Sequence, residues 1–259
     1  MDLKEAEKET IWTWIKKCLK SNKYTHLLCK ALKCLKNNGI KFTIKKIKQK
    51  FNSTSVYKDY IQNNFLTEEE RKIQTNIKFD KNIKFSILVP IYNTPKKYLC
   101  EMIDSCINQT YSNWELCLAD GSDKEHSYVG NIINNYAKND TRIKYKVLKN
   151  NGGISENTNE CIKMSCGDYI GLFDHDDLLH PSALFEYMKV IQKENADLIY
   201  SDEAVFEKNL KDIKTIHFKP DFAIDTLRTY NYICHFTVFK KSLLDKVGMF
   251  RKEFDGAQD

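Results

Sequence analysis

Lys84-Phe85-Ser86-Ile87-Leu88-Val89-Pro90-Ile91-Tyr92-Asn93 is where the pattern of the chain changes. Phe85–Ile91 is an apolar run of strand size, rich in β-formers and far too short to cross a membrane. Asn93-Thr94-Pro95 reads as the turn that ends it. Apolar residues at helical spacing follow at Leu99, Met102, Ile103 and Ile107. Trp114–Ala119 predicts a second strand, stopped by Asp120-Gly121-Ser122-Asp123. A helix through Val129, Ile132, Ile133 and Tyr136 comes next, then a third strand over Ile143–Leu148 and a turn at Asn150–Gly153. A helix to about Ser165 leads into a fourth strand, Tyr169–Phe173. This alternation predicts a parallel, helix-covered α/β sheet. Ligands of such sheets sit at the carboxyl ends of strands, so the residues after each strand are the candidates for chemistry.

Upstream of Lys84 the chain has a different character. Ile11, Trp12, Trp14, Ile15, Cys18 and Leu19 form one apolar stripe at helical spacing. Leu27, Leu28, Ala31, Leu32 and Leu35 form a second, stopped by Asn37-Asn38-Gly39. Residues 52–84 read as further helix and linker, with Thr67 as the N-cap of a helix opening Glu68-Glu69-Glu70. The 259 residues carry a formal net charge of +6. Residues 1–60 hold 15 Lys against 5 acidic residues; the remaining 199 hold 26 basic and 30 acidic. The basic character therefore belongs to the N-terminal segment, and a nucleic-acid-binding body is disfavoured. Residues 1–60 are open to two readings: a solvated helical appendage on the main domain, or a basic surface for peripheral contact with an anionic membrane or for docking a partner.

Nine cysteines (Cys18, Cys29, Cys34, Cys100, Cys106, Cys117, Cys161, Cys166 and Cys234) include no C-x-x-C pair and mostly sit among apolar residues. A disulfide scaffold or zinc site is not expected. With an N-terminus that lacks a signal peptide pattern, the expected location is cytoplasmic, in one reading peripheral at the inner face of the cytoplasmic membrane.

The fourth strand is followed by Asp174-His175-Asp176-Asp177. If this segment is extended, Asp174 and Asp176 share one face. Carboxylates crowded at a strand end repel one another, and a hard divalent cation such as Mg²⁺ or Mn²⁺ would neutralise them. The competing reading is an acidic turn in which Asp177 caps the next helix. After the other strands stand Pro90, Tyr92 and Asn93, an aromatic ring and an amide suited to a base; Asp120, a hydrogen-bond acceptor for a base or ribose; and Asn151-Gly152-Gly153, a turn with room for a ligand. Each of these is weak alone.

In order along the chain, SILVPIYN, ELCLADGSD, NNGGISENTN, GDYIGLFDHDD, LIYSDE, HFKPDF, NYICHF, VGMF and FDGAQD resemble the motifs of the inverting, metal-dependent nucleotide-sugar glycosyltransferases of family 2, in their bacterial polysaccharide and O-antigen branch. The resemblance covers about residues 84–259, and weakly the preamble. It implies a GT-A fold: a Rossmann-like, mostly parallel central sheet over residues 84–259, with a basic helical extension over 1–83.

The resemblance also implies roles. Pro90, Tyr92, Asn93, Asn151 and Gly152 would line the nucleotide, and Asp120 would contact the base. Asp174 and Asp176 match a DXD motif that binds Mn²⁺ or Mg²⁺ and the diphosphate, with His175 beside them. Asp259 matches the general base. Asp202 and Glu203 are open to two readings, shaping the donor-sugar pocket or serving as structural carboxylates; Gln258 would shape the same pocket, and His235, expected in a strand, would face the metal or acceptor or be a core histidine. His217 and Lys219 would touch the diphosphate or acceptor, Asp221 and Asp225 read as cap or surface residues, and Tyr230–Phe236 reads as core rather than a sugar platform. The implied donor is a nucleoside-diphosphate sugar, a UDP-sugar foremost. The implied acceptor is a hydroxyl of a bacterial surface glycan or lipid-linked glycan. Relatives continue beyond the position of Asp259, so a shortened domain is expected. That leaves two other readings open: a nucleotide-sugar-binding module without turnover, and an interaction protein acting through the N-terminal helices.

Overall fold

The computed structural model describes residues 35–37, 39–44, 65–207, 210 and 213–256. The sheet is built outward from β1 (Phe85–Ile91) and β2 (Trp114–Asp120), which pair in parallel from Phe85↔Trp114 to Ile91↔Asp120. Nearly every residue of both strands is buried. That is why their sequences are continuous apolar runs rather than alternating ones: a parallel strand covered on both faces has no wet side. β3 (Ile143–Val147) pairs with the outer side of β2, and β4 (Tyr169–Leu172) with the other side of β1. β8 (Thr237–Lys240) then adds antiparallel to β4, and β5 (Leu198–Ile199) antiparallel to β8. The order is β3-β2-β1-β4-β8-β5, four parallel strands with an antiparallel edge.

Helices cover both faces. Leu99, Met102, Ile103 and Cys106 of α2 (Lys96–Ile107) and Val129 and Ile133 of α3 (Tyr128–Asn139) pack on one side with Ile87, Val89, Leu116 and Leu118. Leu184, Met188 and Ile191 of α5 (Ala183–Glu194) join the same layer. Cys161 and Ile162 of α4 (Ile154–Met164) pack on the opposite side with Leu88, Cys117 and Ile170. Each such Leu or Ile contributes about 1.5–3 kcal/mol of burial. The buried cysteines behave as small apolar groups, and burial pushes the thiols of Cys106 and Cys117 up to about 12. None of the six described cysteines is in a disulfide. Gly171 of β4 lies under the ring of Phe236, where a Cβ would collide with that ring.

Helix α1 (Glu68–Asn76) begins at Thr67 with a full capping box, the Thr67 side chain accepting from the Glu70 N–H and the Glu70 carboxylate accepting from the Thr67 N–H. Residues 35–37 and 39–44 are helical and Gly39 stands at φ +75, so helix lies on both sides of the stop expected at Asn37-Asn38-Gly39. The remaining N-terminal expectations, for residues 1–34 and 45–64, lie outside the described residues. Among those described, no helix is long and apolar enough to cross a membrane.

The four parallel strands fall where the apolar runs predict, within one residue at each end. Elsewhere the structure differs from the expectation. His235 is not in a strand: it stands in the turn before β8. The hairpin of β6 (Glu203–Phe206) and β7 (Ile213–His217) was not anticipated, because Glu203–Phe206 is half-exposed and carries no apolar run. Short helices α6 (Ile224–Leu227) and α7 (Leu244–Val247) flank β8. By compactness the chain divides into two units, Phe65–Glu203 with His217–Asp259, and Met1–Asn64 with Ala204–Ile216. The sheet and the site described below belong to the first.

Candidate functional site

From β1 the chain crosses by way of α2 and α3 to β2 and β3 on one side, then returns over the other face through α4 to β4. The loops leaving β1 and β4 therefore part in opposite directions, which opens a crevice between neighbouring strand ends. A cleft of about 250 Å³ lies there. Pro90, Ile91 and Tyr92 line it from β1, Asn151, Gly153, Ile154 and Asn157 from the start of α4, and Asp174, His175 and Asp176 from the end of β4. Pro90, Tyr92, Asn151, Asp174, His175 and Asp176, singled out in the sequence, thus converge, whereas Gly152, Asn93 and Asp120 are not among the lining residues.

Asn93 and Asp120 are held by the protein itself. Asn93 sits at φ +50, a left-handed conformation that Asn tolerates better than most residues. Its N–H donates to Ser122 Oγ at 2.9 Å, its amide donates to Asp123 at 2.8 Å, and its side-chain oxygen accepts from the Asp123 N–H at 3.1 Å. It fastens the loop after β1 to the loop after β2. Asp120 is buried and accepts from the Ser122 N–H and the Tyr145 hydroxyl, at 2.8 and 2.7 Å. Burial, reinforced by that carboxylate, raises the Tyr145 phenol.

The turn beneath the cleft is stitched by Asn157. Its side chain donates to Asn151 Oδ1 at 2.8 Å and accepts from the Gly152 N–H at 3.1 Å, while Asn151 Oδ1 also accepts from the Gly153 N–H. Gly153, at φ +93, stands before α4, and its own side offers the helix no cap. Asp255 supplies one from the far end of the chain, accepting from the Ser155 N–H at 3.1 Å. Asn159 pairs both ways with the backbone of Phe250, and Ser155 donates to the Arg251 carbonyl. The segment 250–255 is thereby laid along α4 at the rim of the cleft.

The acidic cluster differs from an extended strand end. His175 and Asp176 form a turn, closed by the Asp177 N–H on the Asp174 carbonyl at 3.4 Å. Residues i and i+3, not i and i+2, are brought together. Asp174, Asp177 and His235 are a group whose ligand atoms all lie within 4.8 Å of one another. His235 Nε2 is 3.6 Å from Asp174 and Nδ1 is 3.9 Å from Asp177. Asp176 is 57% exposed on the cleft side. Asp177 does not cap a helix, since α5 begins six residues on at Ala183. Burial raises its carboxyl; His235 opposes the shift, and Asp174, Asp176 and Glu203 add to it. Two carboxylates and an imidazole facing one point suit a Mn²⁺- or Mg²⁺-class cation, and crowding that resists ionisation is what such a cation relieves.

Asp202 and Glu203 turn toward neighbouring protein groups. Asp202 accepts from the Lys219 N–H at 2.7 Å; Glu203 lies 2.8 Å from His217 Nδ1 and 3.1 Å from Lys219 Nζ. Burial opposes ionisation of Glu203, but these two partners outweigh it and lower its carboxyl. Asp225 is exposed beside Arg228. Gln258 and Asp259 lie outside the described residues.

Asp177, Asn157, Lys219 and Asp255 were not singled out as functional on sequence spacing alone, or were assigned other tasks. Their roles depend on a turn and on contacts spanning up to 100 residues, although each lies inside one of the motifs quoted above.

Comparison with known proteins gives these features a context. Over 174 residues the chain is 30% identical to the O-antigen biosynthesis protein RfbC of Myxococcus xanthus, covering 67% of this chain and 14% of that protein. Over 169 residues it is 33% identical to the poly(ribitol-phosphate) beta-N-acetylglucosaminyltransferase TarP of Staphylococcus aureus, covering 63% of this chain and 50% of that one. The chain thus spans half or less of these relatives. Its fold is similar to the crystal structure of S. aureus TarS 1-349 in complex with UDP-GlcNAc, with a TM-score of 0.56 at 22% identity over 68% of this chain and 51% of that one. The expected GT-A architecture agrees with that likeness. Residues 86–248, well over half of the chain, match the family described as glycosyl transferase family 2, and the chain belongs to it.

Proposed function

We propose that this chain is the donor-binding portion of an inverting, metal-dependent glycosyltransferase that moves a sugar from a UDP-sugar to a hydroxyl of a bacterial surface glycan, free or lipid-linked. The observation that carries the reading is the cleft at the split between β1 and β4. There an exposed aromatic ring, a backbone turn and a carboxylate cluster face one space of about 250 Å³. The names of the similar proteins, an O-antigen biosynthesis protein and a beta-N-acetylglucosaminyltransferase, support the acceptor class and an N-acetylhexosaminyl or hexosyl donor.

In this reading Tyr92 and Pro90 flank the base, and Asp120, already fixed by Ser122 and Tyr145, presents its remaining lone pairs toward it. Asn151 and Gly152 shape the floor under the diphosphate. Asp174, Asp177 and His235 would hold Mn²⁺ or Mg²⁺, and Asp176, which lines the cleft, would serve the same site. When bound, the cation supplies Lewis-acid stabilisation of the negative charge on the leaving nucleoside diphosphate. Asp259 takes the proton of the acceptor hydroxyl as that oxygen attacks the anomeric carbon. A single displacement inverts the configuration. Asp255 supports this role by bringing the chain to the rim of the cleft four residues before Asp259. Contact of residues 1–60 with the inner face of the cytoplasmic membrane is part of the proposal, and a liposome-binding assay with those residues deleted checks it.

The deciding experiment is a thermal-shift screen of nucleotide sugars with and without Mn²⁺, followed by product analysis on the best donor. Stabilisation by a UDP-sugar that depends on Mn²⁺, and is lost in Asp176→Ala, is the expected result. Binding without release of UDP or transfer would identify a module that holds the donor without turnover. Binding indifferent to Mn²⁺ and to Asp176→Ala would remove the metal from the proposal.

A further inference from the structure

We infer that Lys219 is a positioning residue for His235, acting through that imidazole on divalent-cation binding; the inference rests on the metal reading proposed above. The Lys219 side chain is 5% exposed. A lysine is almost never so deeply buried unless its charge and its three N–H donors are matched. Here three partners surround the ammonium: the Ile233 carbonyl at 2.5 Å, the His235 carbonyl at 2.7 Å and Glu203 Oε2 at 3.1 Å. The Lys219 backbone N–H is fixed in turn by Asp202. Both ends of the residue are therefore anchored on the pair of carboxylates that follow β5.

The two carbonyls it holds flank Cys234, whose φ of +40 lies in the left-handed region that residues with a Cβ avoid. Such a conformation persists only where its surroundings over-determine it. From the other side, Asn231 Oδ1 accepts from the Ile233 and Cys234 N–H groups at 3.0 and 3.4 Å. The 233–235 turn is thus gripped between an amide and an ammonium. His235 leaves that grip to stand 3.6 Å from Asp174 and 3.9 Å from Asp177. A lysine that merely neutralised Glu203 would have no need to reach both carbonyls. The task of Asp202 and Glu203 is accordingly to hold Lys219, one link removed from the imidazole.

The test uses the whole 259-residue chain and two readouts: Mn²⁺ alone titrated by calorimetry, and the His235 ring resonance of the metal-free protein by NMR, assigned through its loss in His235→Gln. Lys219→Met is expected to shift or broaden that resonance and to weaken Mn²⁺ binding about 10- to 100-fold, the range typical of groups that orient a ligand. In the His235→Gln background the same substitution is expected to add less than about a factor of two, because its effect runs through the missing ring. Glu203→Gln, which leaves both carbonyl bonds in place, is expected to give a smaller change of the same sign, and it serves if Lys219→Met does not fold. An unmoved His235 resonance in these variants overturns the inference, and so does a Mn²⁺ loss equally large without His235. A wild-type chain that ignores Mn²⁺ while its His235 resonance still answers to Lys219→Met would refute the metal reading and uphold the positioning role.

Discussion

The two ends of the sheet treat a desolvated carboxylate in opposite ways, Glu115 fully buried and Asp177 half-exposed. At the amino end, the Glu115 side chain is 1% exposed, yet it accepts from Ser86 Oγ, the Cys166 N–H and the Cys166 thiol and pairs with Lys84 and Lys144 at 2.8 and 2.9 Å. Burial by itself would raise its carboxyl, but those donors outweigh burial and hold it far below the usual range. At the carboxyl end, Asp177 is also desolvated, and its neighbours are two more aspartates, Glu203 and a single imidazole, so its carboxyl is raised. Desolvation pushes both groups the same way, and the company each keeps decides the sign. One end has been neutralised for stability; the other is left short of positive charge, the condition that makes a strand end receptive to a cation.

The largest effect should come from breaking the neutralised end. Glu115→Ala strands two lysines and several donors, and it is expected to cost about 3 kcal/mol in urea unfolding while leaving Mn²⁺ affinity within about a factor of two. A loss of cation binding in that variant would mean that the two ends are not independent. At the other end Asp174→Ala is expected to weaken Mn²⁺ by about 100-fold, some 2.7 kcal/mol, without lowering metal-free stability. A tie at the rim of the cleft gives the next effect. Gly153→Ala places a Cβ against the Asp255 carboxylate at a positive φ, and it is expected to cost about 1–2 kcal/mol and to release the α4 cap. Asp177→Asn is expected to do least, raising metal-free stability by about 0.5 kcal/mol because the carboxylate is half-exposed.

The pH profile should separate the same two groups. Glu115 is held below its unfolded value of 4.5, so the unfolded chain binds the extra proton there, and stability is lost as pH falls below about 4.5. Asp177 lies above its unfolded value of 3.8, so the native chain binds the extra proton, and stability falls as pH rises past 3.8. Urea melts from pH 3 to 7 should show the acid-side loss reduced in Glu115→Gln and the fall above pH 4 reduced in Asp177→Asn.

The same contrast explains what could be read from the chain alone. β1 to β4 are legible because strands buried on both faces must be apolar throughout, and the strand-end motifs then place Pro90, Tyr92, Asn151 and Asp174 on one side. The pairing of Asp174 with Asp177 is not legible, because it depends on the 174–177 segment turning, and Asp-rich segments occur in turns and extended chain alike. His235 stands beside the apolar residues Tyr232, Ile233 and Phe236, a composition that a strand and a buried turn share, and the strand begins only at Thr237. Lys219 in the sequence reads as a contact to the diphosphate or acceptor; its burial among carbonyls is a property of the fold, invisible in residue order.

The way Asn159 and Ser155 hold the segment 250–255 has a consequence for sequence drift. Both side chains address backbone N–H and C=O groups at Phe250 and Arg251 rather than the side chains there. A contact made to the peptide unit is blind to what the residue carries. The identity at 251, which is exposed, can therefore change widely among descendants of this chain without moving its path, whereas Phe250, packed on the cluster of Leu88, Cys117 and Ile170, joins Asn159, Ser155 and the cap at Asp255 as the letters that spell the route.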